Sequence, residues 1–217
     1  MKLSEQTLAI LKNFATINPS IKFVSGSEIR TVSTGGEMVA KTKVTEEFPQ
    51  DFCVYDLSRF LRCADLLGEP ELSFGDSYVD LIGENNQIRY AFTDPTLIDG
   101  ANYSKEYPID NLVAEVEISQ FKLQKIKQAA AVLGSSNISL IGQKGQIHLV
   151  AHDLKNKSAD RYKVLVGETD KTFTVNYKVD DFKMISDDYD LRVSDGVVTE
   201  FTGNLATYIV AAEIVVE

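Results

Sequence analysis

His148 and His152, with Asp153 beside the second, are the residues whose types first suggest chemistry. Imidazole and carboxylate groups bind metals and carry protons. Their spacing argues against that role. Four strand residues span roughly 13 Å, so two histidines on one strand cannot share an ion. The pairs Asp180–Asp181 and Asp187–Asp188 have the composition of an acid/base site. Adjacent acids in a polar stretch more ordinarily form a solvated face or serve a helix N-terminus. The two cysteines, Cys53 and Cys63, have no sequence-local His and read as buried thiols in a reducing compartment. No GxGxxG, Walker A or nucleophile-elbow serine motif occurs. The sequence points to no catalytic residue, metal set or cofactor.

The remaining signal is cationic. The chain has 217 residues and a formal net charge of -10, with a pI near 4.8. Such a balance argues against coating nucleic acid with the whole surface, but not against one segregated basic face. The stretch 119–134, SQFKLQKIKQAAAVLG, carries Lys122, Lys125 and Lys127 and no acid. Ser119 suits an N-cap and Gly134 a left-handed terminator. Between them Leu123, Ile126, Ala130 and Leu133 share one face, with the lysines off it.

The elements that position these charges follow from period and punctuation. A helix is expected from Ser4 to Ile17, carrying Lys12, and another after Asp56, with Arg59 and Arg62 opposite Leu57, Phe60, Leu61 and Ala64. A short helix is expected over Val179–Ser186, carrying Lys183. Strands are expected at 21–25, 29–33, 38–44, 52–55, 72–74, 78–82 and 88–93. In the second half they fall at 137–141, 146–151, 161–166, 172–179, 189–193, 197–201 and 206–216. The segment 94–110 holds two prolines and no periodicity, and marks a linker. The expected division is a domain over 1–98, a connector over 99–112 and a second domain over 113–217. Leu67-Gly68, Leu72-Ser73-Phe74 and Gln87-Ile88 are echoed by Leu133-Gly134, Ile138-Ser139-Leu140 and Gln146-Ile147. This weak repeat suggests four units, each a helix on an antiparallel meander, and hence an α+β fold. With 44% hydrophobic and 25% charged residues the composition is that of a globular protein. No apolar run reaches the roughly 20 residues that span a bilayer, and Glu5 and Gln6 interrupt the opening too early for an export signal.

The opening MKLSEQTLAILKNFATINPSI, the segment VYDLSRFL and the final TYIVAAE closely resemble the sliding clamps of T4-like bacteriophages, the processivity factors of phage DNA polymerases. The likeness runs from end to end, strongest over the first 21 residues and thinner between Phe74 and Glu115. It implies two similar clamp-type domains, each with two helices on antiparallel sheet, closing as a homotrimeric ring with the helices lining the hole. Lys2, Lys12, Arg59, Arg62, Lys122, Lys125, Lys127 and Lys183 then become the lining of a channel for double-stranded DNA. The resemblance further implies a partner-peptide pocket, for which Leu97, Ile98, Tyr107, Pro108, Val113, Ile214 and Val216 are the candidates. It also implies a subunit interface between two strand edges, 88–93 with Ile88, Tyr90 and Phe92, and 161–167 with Tyr162, Val164 and Val166. Implied partners are the replicative DNA polymerase, the clamp-loader ATPase and late-transcription factors, in the cytoplasm of the infected host. No membrane, cofactor or metal is implied, and the protein would not be an enzyme. The alternative is an acidic oligomeric α+β module that binds proteins and never encircles DNA.

Overall fold

The computed structural model describes residues 1–98, 107–156, 158–195 and 198–213. The chain divides into two compact units, 1–105 and 106–217. The first runs α1 (Glu5–Ile17), β1 (Ile21–Phe23), β2 (Gly26–Val32), β3 (Met38–Phe48), β4 (Phe52–Val54), α2 (Leu57–Leu67), β5 (Glu71–Phe74), β6 (Tyr78–Ile82) and β7 (Gln87–Ala91). The second runs β8 (Leu112–Ile118), α3 (Gln120–Leu133), β9 (Asn137–Gln143), β10 (Gln146–His152), β11 (Tyr162–Glu168), β12 (Phe173–Lys178), β13 (Tyr189–Ser194), β14 (Val198–Thr202) and β15 (Thr207–Ala211).

Within the first unit β1 pairs with β4, β2 with β3, and β5–β6–β7 form a meander, all antiparallel. Within the second, β11–β10–β9–β12 form one antiparallel sheet, and β15–β14–β13–β8 run side by side in another. Each unit has its own aromatic core. In the first, Phe23 stacks on Phe52 at 4.4 Å, with Phe48, Phe74 and Phe92 around them. In the second, Phe201 meets Tyr177, Phe182 and Tyr189 edge-on at 6.4, 5.9 and 6.2 Å.

The helix ends follow from their sequence. Ser4, Asp56 and Ser119 each accept from a first-turn N–H, at 3.2, 2.8 and 3.5 Å. Gly68 and Gly134 close α2 and α3 in the left-handed region, at φ 64° and 61°. The start of α1 gains a second acceptor, because Glu46 on β3 takes the Ser4 N–H and, at 2.7 Å, the Thr7 hydroxyl. Burial pushes the Glu46 carboxyl up, but these hydrogen bonds outweigh it and hold it below the usual range. A group with a depressed folded pKa stabilises above its unfolded value, and that contribution is lost as pH falls through the folded pKa. Glu46→Gln should therefore cost about 1–2 kcal/mol at neutral pH. The difference from the parent should shrink below about pH 4, as read from denaturant titrations across pH.

One expectation needs correction, and one strand was missed. The helix over Val179–Ser186 is a single 3-10 turn, Val179–Asp181, followed by irregular backbone. Lys178 supplies no side-chain cap to that turn. Phe182 and Met184 are buried and alternate with half-exposed residues, so the burial has a period of two. The polar backbone is satisfied from outside: Tyr208 accepts from the Ile185 N–H at 3.2 Å and Tyr189 donates to the Ile185 carbonyl at 2.7 Å. The missed strand is β8, Leu112–Ile118. Its alternation, Glu115 and Glu117 exposed against Val116 and Ile118, is that of a strand with one face covered.

Candidate nucleic-acid interface

On α2 the buried residues are Leu57, Phe60, Leu61 and Ala64. At 3.6 residues per turn the opposite stripe is Arg59, Arg62 and Leu66, and all three are exposed. On α3 the buried residues are Leu123, Ile126 and Ala130, and the outward stripe is Phe121, Lys125, Gln128 and Val132. Lys125 is thus the outermost cation of α3, its ammonium 5.5 Å from the Phe121 ring centroid, within cation–π reach. Lys122 lies half-buried on the flank. Arg59, Arg62, Lys122 and Lys125 form no salt bridge with any described residue.

The other expected cations differ. Lys2 is exposed ahead of α1. Lys12 lies on the outer face of α1 and reaches Asp65 of α2 at 3.1 Å, so its charge is shared with a carboxylate. Lys127 is turned aside: it donates to the Met184 carbonyl at 3.4 Å, and burial pushes its ammonium pKa down. Gln120 and Gln124, on the same side of α3, donate to the Ser186 hydroxyl at 2.7 and 2.6 Å, and Asp188 accepts from the Gln120 N–H. Lys127 therefore helps strap residues 184–188 along α3. Lys183 sits half-buried just ahead of that strap instead of on a helix.

The remaining sequence candidates fall as follows. His152 contacts the buried Ser139 hydroxyl at 2.7 Å, and Ser139 donates to Asn176 at 2.6 Å. That proton is committed to the amide, so this Ser–His contact is a core network. Asp187 accepts from the Asn204 and Leu205 backbone N–H groups at 2.6 and 3.1 Å and holds a turn. Leu97 is exposed at the end of a 3-10 turn, Pro95–Leu97, and Ile98 is buried beside it in the first unit. In the second unit Tyr107 is half-buried and Pro108 exposed. Val113, on β8, lines a groove of about 310 Å³ with Glu115, Glu168 and Lys171. Ile214 and Val216 lie outside the described residues. Ile88 and Tyr90 are half-buried on β7, while Phe92 lies past its end with its ring 5.0 Å from Phe52. Tyr162 and Val164 are half-buried on β11 and Val166 is buried. Among the described residues β7 pairs with β6 alone and β11 with β10 alone, so both are sheet edges.

Two antiparallel-sheet units with cationic helix faces and open edges match known proteins along the whole chain. A phage relative from Vibrio phage KVP40, named sliding clamp, is 30% identical over 98% of this chain and 99% of its own. This chain belongs to the sliding-clamp family of T4-like bacteriophages. The sliding clamp of Enterobacteria phage T4 is 28% identical over 98% of this chain and 97% of its own. A family described as "gp45 sliding clamp, C terminal" matches residues 115–214. Among solved structures, a DNA polymerase sliding clamp from Pseudomonas aeruginosa aligns with a TM-score of 0.73. It does so at 15% identity, over 99% of this chain and 66% of that one, which shows that this clamp shares its fold.

Sequence reasoning missed the apolar members of the outward stripes, Leu66, Phe121 and Val132. The signal was available, since each falls opposite its helix's buried set on a helical wheel.

Proposed function

We propose that this clamp closes as a homotrimeric ring around duplex DNA and tethers the replicative DNA polymerase, without catalysis of its own. The observation that carries the reading is the set of four cations on α2 and α3, turned away from the core and without salt-bridge partners among the described residues, in a chain of net charge -10. Such a lining meets phosphates and reads no bases, so contact is sequence-independent, salt-sensitive and equal at every register. Retention then comes from topology, and the acidic exterior disfavours DNA anywhere but the hole. Lys2, Lys12 and Lys183 add to the lining, and Lys127, engaged with Met184, is its least available member. The edges β7 and β11 supply the join between copies, through Ile88, Tyr90 and Phe92 against Tyr162, Val164 and Val166.

Residues 99–112 serve as the connector between the domains. Leu97, Ile98, Tyr107, Pro108 and Val113 contribute to an apolar pocket for polymerase and clamp-loader peptides, with late-transcription factors as further users. No helix among the described residues is long and apolar enough to cross a membrane, and the site of action is the host cytoplasm. The protein-binding alternative leaves the cationic stripes without a role and is not favoured. The test is synthesis on a long primed template with polymerase and loader present. Lys122→Glu with Lys125→Glu should bring product length down to the level without clamp, while circular dichroism and oligomer mass stay at parental values. Parental product lengths from the double variant would sink the channel assignment.

A further inference from the structure

α2 and α3 begin alike. An aromatic ring stands in water at the start of each, four residues ahead of a cation of the outward stripe: Tyr55 before Arg59, and Phe121 before Lys125. Tyr55 is 62% exposed and Phe121 65%. Both are carried on fixed backbone. On either side of Tyr55, Val54 pairs with Ile21 of β1, and the Leu57 N–H donates to the Pro19 carbonyl at 2.7 Å. The Asp56 carbonyl accepts from the Phe60 N–H at 3.0 Å and from the Tyr90 hydroxyl at 3.1 Å. Phe121 lies in the first turn of α3, behind its cap Ser119, whose carbonyl accepts from the Leu123 N–H at 3.0 Å.

A single exposed ring is ordinary on a protein surface. Here a ring recurs at the same place on a cationic helix in each half. Neither ring serves the core, and an aromatic face does nothing for a phosphate. The acids beside them are already engaged. Asp56 accepts from the Arg59 N–H at 2.8 Å and Asp188 from the Gln120 N–H at 2.6 Å, so each carboxylate sits on a helix N-terminus that offsets its charge. Arg59 and Lys125 form no salt bridge with any described residue, so both cations remain available to a ligand.

We infer that Tyr55 and Phe121 are stacking platforms for unpaired bases, so that this clamp holds single-stranded DNA as well as duplex. The inference rests on the DNA-binding reading proposed above and adds a second kind of ligand to it. The ligand is a single strand because of what each ring can reach. In a duplex both faces of every interior base are already stacked, and a ring outside the helix meets only sugars and phosphates. A single strand presents free π-faces, and a base laid on either ring leaves a neighbouring phosphate to the cation four residues on. An aromatic side chain turns about only two bonds, so on fixed backbone it loses little freedom when a base settles on it. Every base has a π-face, so the contact reads no sequence and pins the clamp to no one site. A clamp built this way is slowed where duplex gives way to single strand.

The test is fluorescence anisotropy of the full chain with two labelled strands of equal length, an oligothymidylate and its abasic counterpart, which keeps the phosphates and lacks the bases. The parent should bind the oligothymidylate at least about 5-fold more tightly. Tyr55→Leu with Phe121→Leu keeps apolar bulk and removes the π-faces. It should bring the two affinities together, while duplex affinity, its salt slope and the thermal melt stay at parental values. Tyr55→Phe with Phe121→Tyr should keep the parental preference. The chain contains no Trp, so Phe121→Trp supplies a lone reporter whose emission the oligothymidylate should quench and the abasic strand should not. Equal affinities of the parent for the two strands, or a preference that survives in the double leucine variant, would overturn the inference and leave duplex binding standing. A parent that binds neither strand nor a duplex would overturn the DNA-binding reading and the stacking platforms together.

Discussion

Glutamine at Arg59, Arg62, Lys122 and Lys125 together is expected to remove most of the salt dependence of DNA binding. Each neutralised phosphate contributes about 0.9 to the slope of log affinity against log salt, so the slope should flatten by about that amount for every phosphate left without its cation. Affinity at low salt should fall about 100-fold or more, since the attraction is electrostatic and repeats in every copy. Fluorescence anisotropy of a labelled duplex over roughly 50 to 200 mM salt reads both quantities. Lys127→Gln is the informative comparison. Its ammonium is held by the Met184 carbonyl, so the substitution should leave the slope unchanged and lower stability instead. A slope that flattens as much for Lys127 as for Lys125 would contradict the placement of the lining on the outward stripes.

Phe201→Ala should give the largest loss of stability from one substitution, about 3–5 kcal/mol. The ring is 1% exposed and sits among Tyr177, Phe182 and Tyr189, so truncation removes edge-on packing on three sides and leaves a cavity that strand backbone cannot collapse to fill. Phe182 also anchors the strap beside α3, so the damage reaches the segment carrying Lys183. Denaturant unfolding followed by circular dichroism checks the magnitude. A loss under about 1 kcal/mol would mean that the cluster repacks freely.

Much of this architecture was legible because helix ends are local. Ser4, Asp56 and Ser119 cap the helices they were expected to cap, and Gly68 and Gly134 end theirs, since each needs only its own neighbours. The β9–β10 hairpin was legible for the same reason, although its turn is tighter than the gap between the expected strands: only Lys144 and Gly145, at φ 54° and 84°, lie between the paired Gln143 and Gln146. The failures were non-local. Nothing in VDDFKMIS discloses that Tyr208 and Tyr189 would satisfy Ile185, or that Gln120 and Gln124 would hold Ser186. Likewise, three lysines on α3 looked alike as letters. Only their angle about the axis and the approach of the 184–188 strap separate Lys125 from Lys127. The exposed Leu66 and Val132 were passed over because a search for a core stripe discards the residues that miss it.

The replacement of a fourth helix by a strap has a consequence for symmetry. Two matching halves per chain, closed three times around, would give an inner wall that repeats six-fold, and the sugar–phosphate backbone would meet equivalent helices at each step. Here, among the described residues, the first half contributes two α-helices and the second one. The wall of the proposed ring would then keep three-fold symmetry alone. In the proposed ring a duplex would pass alternately over the pair α1 and α2 and over α3 with its strap, which Gln120 and Gln124 brace through Ser186.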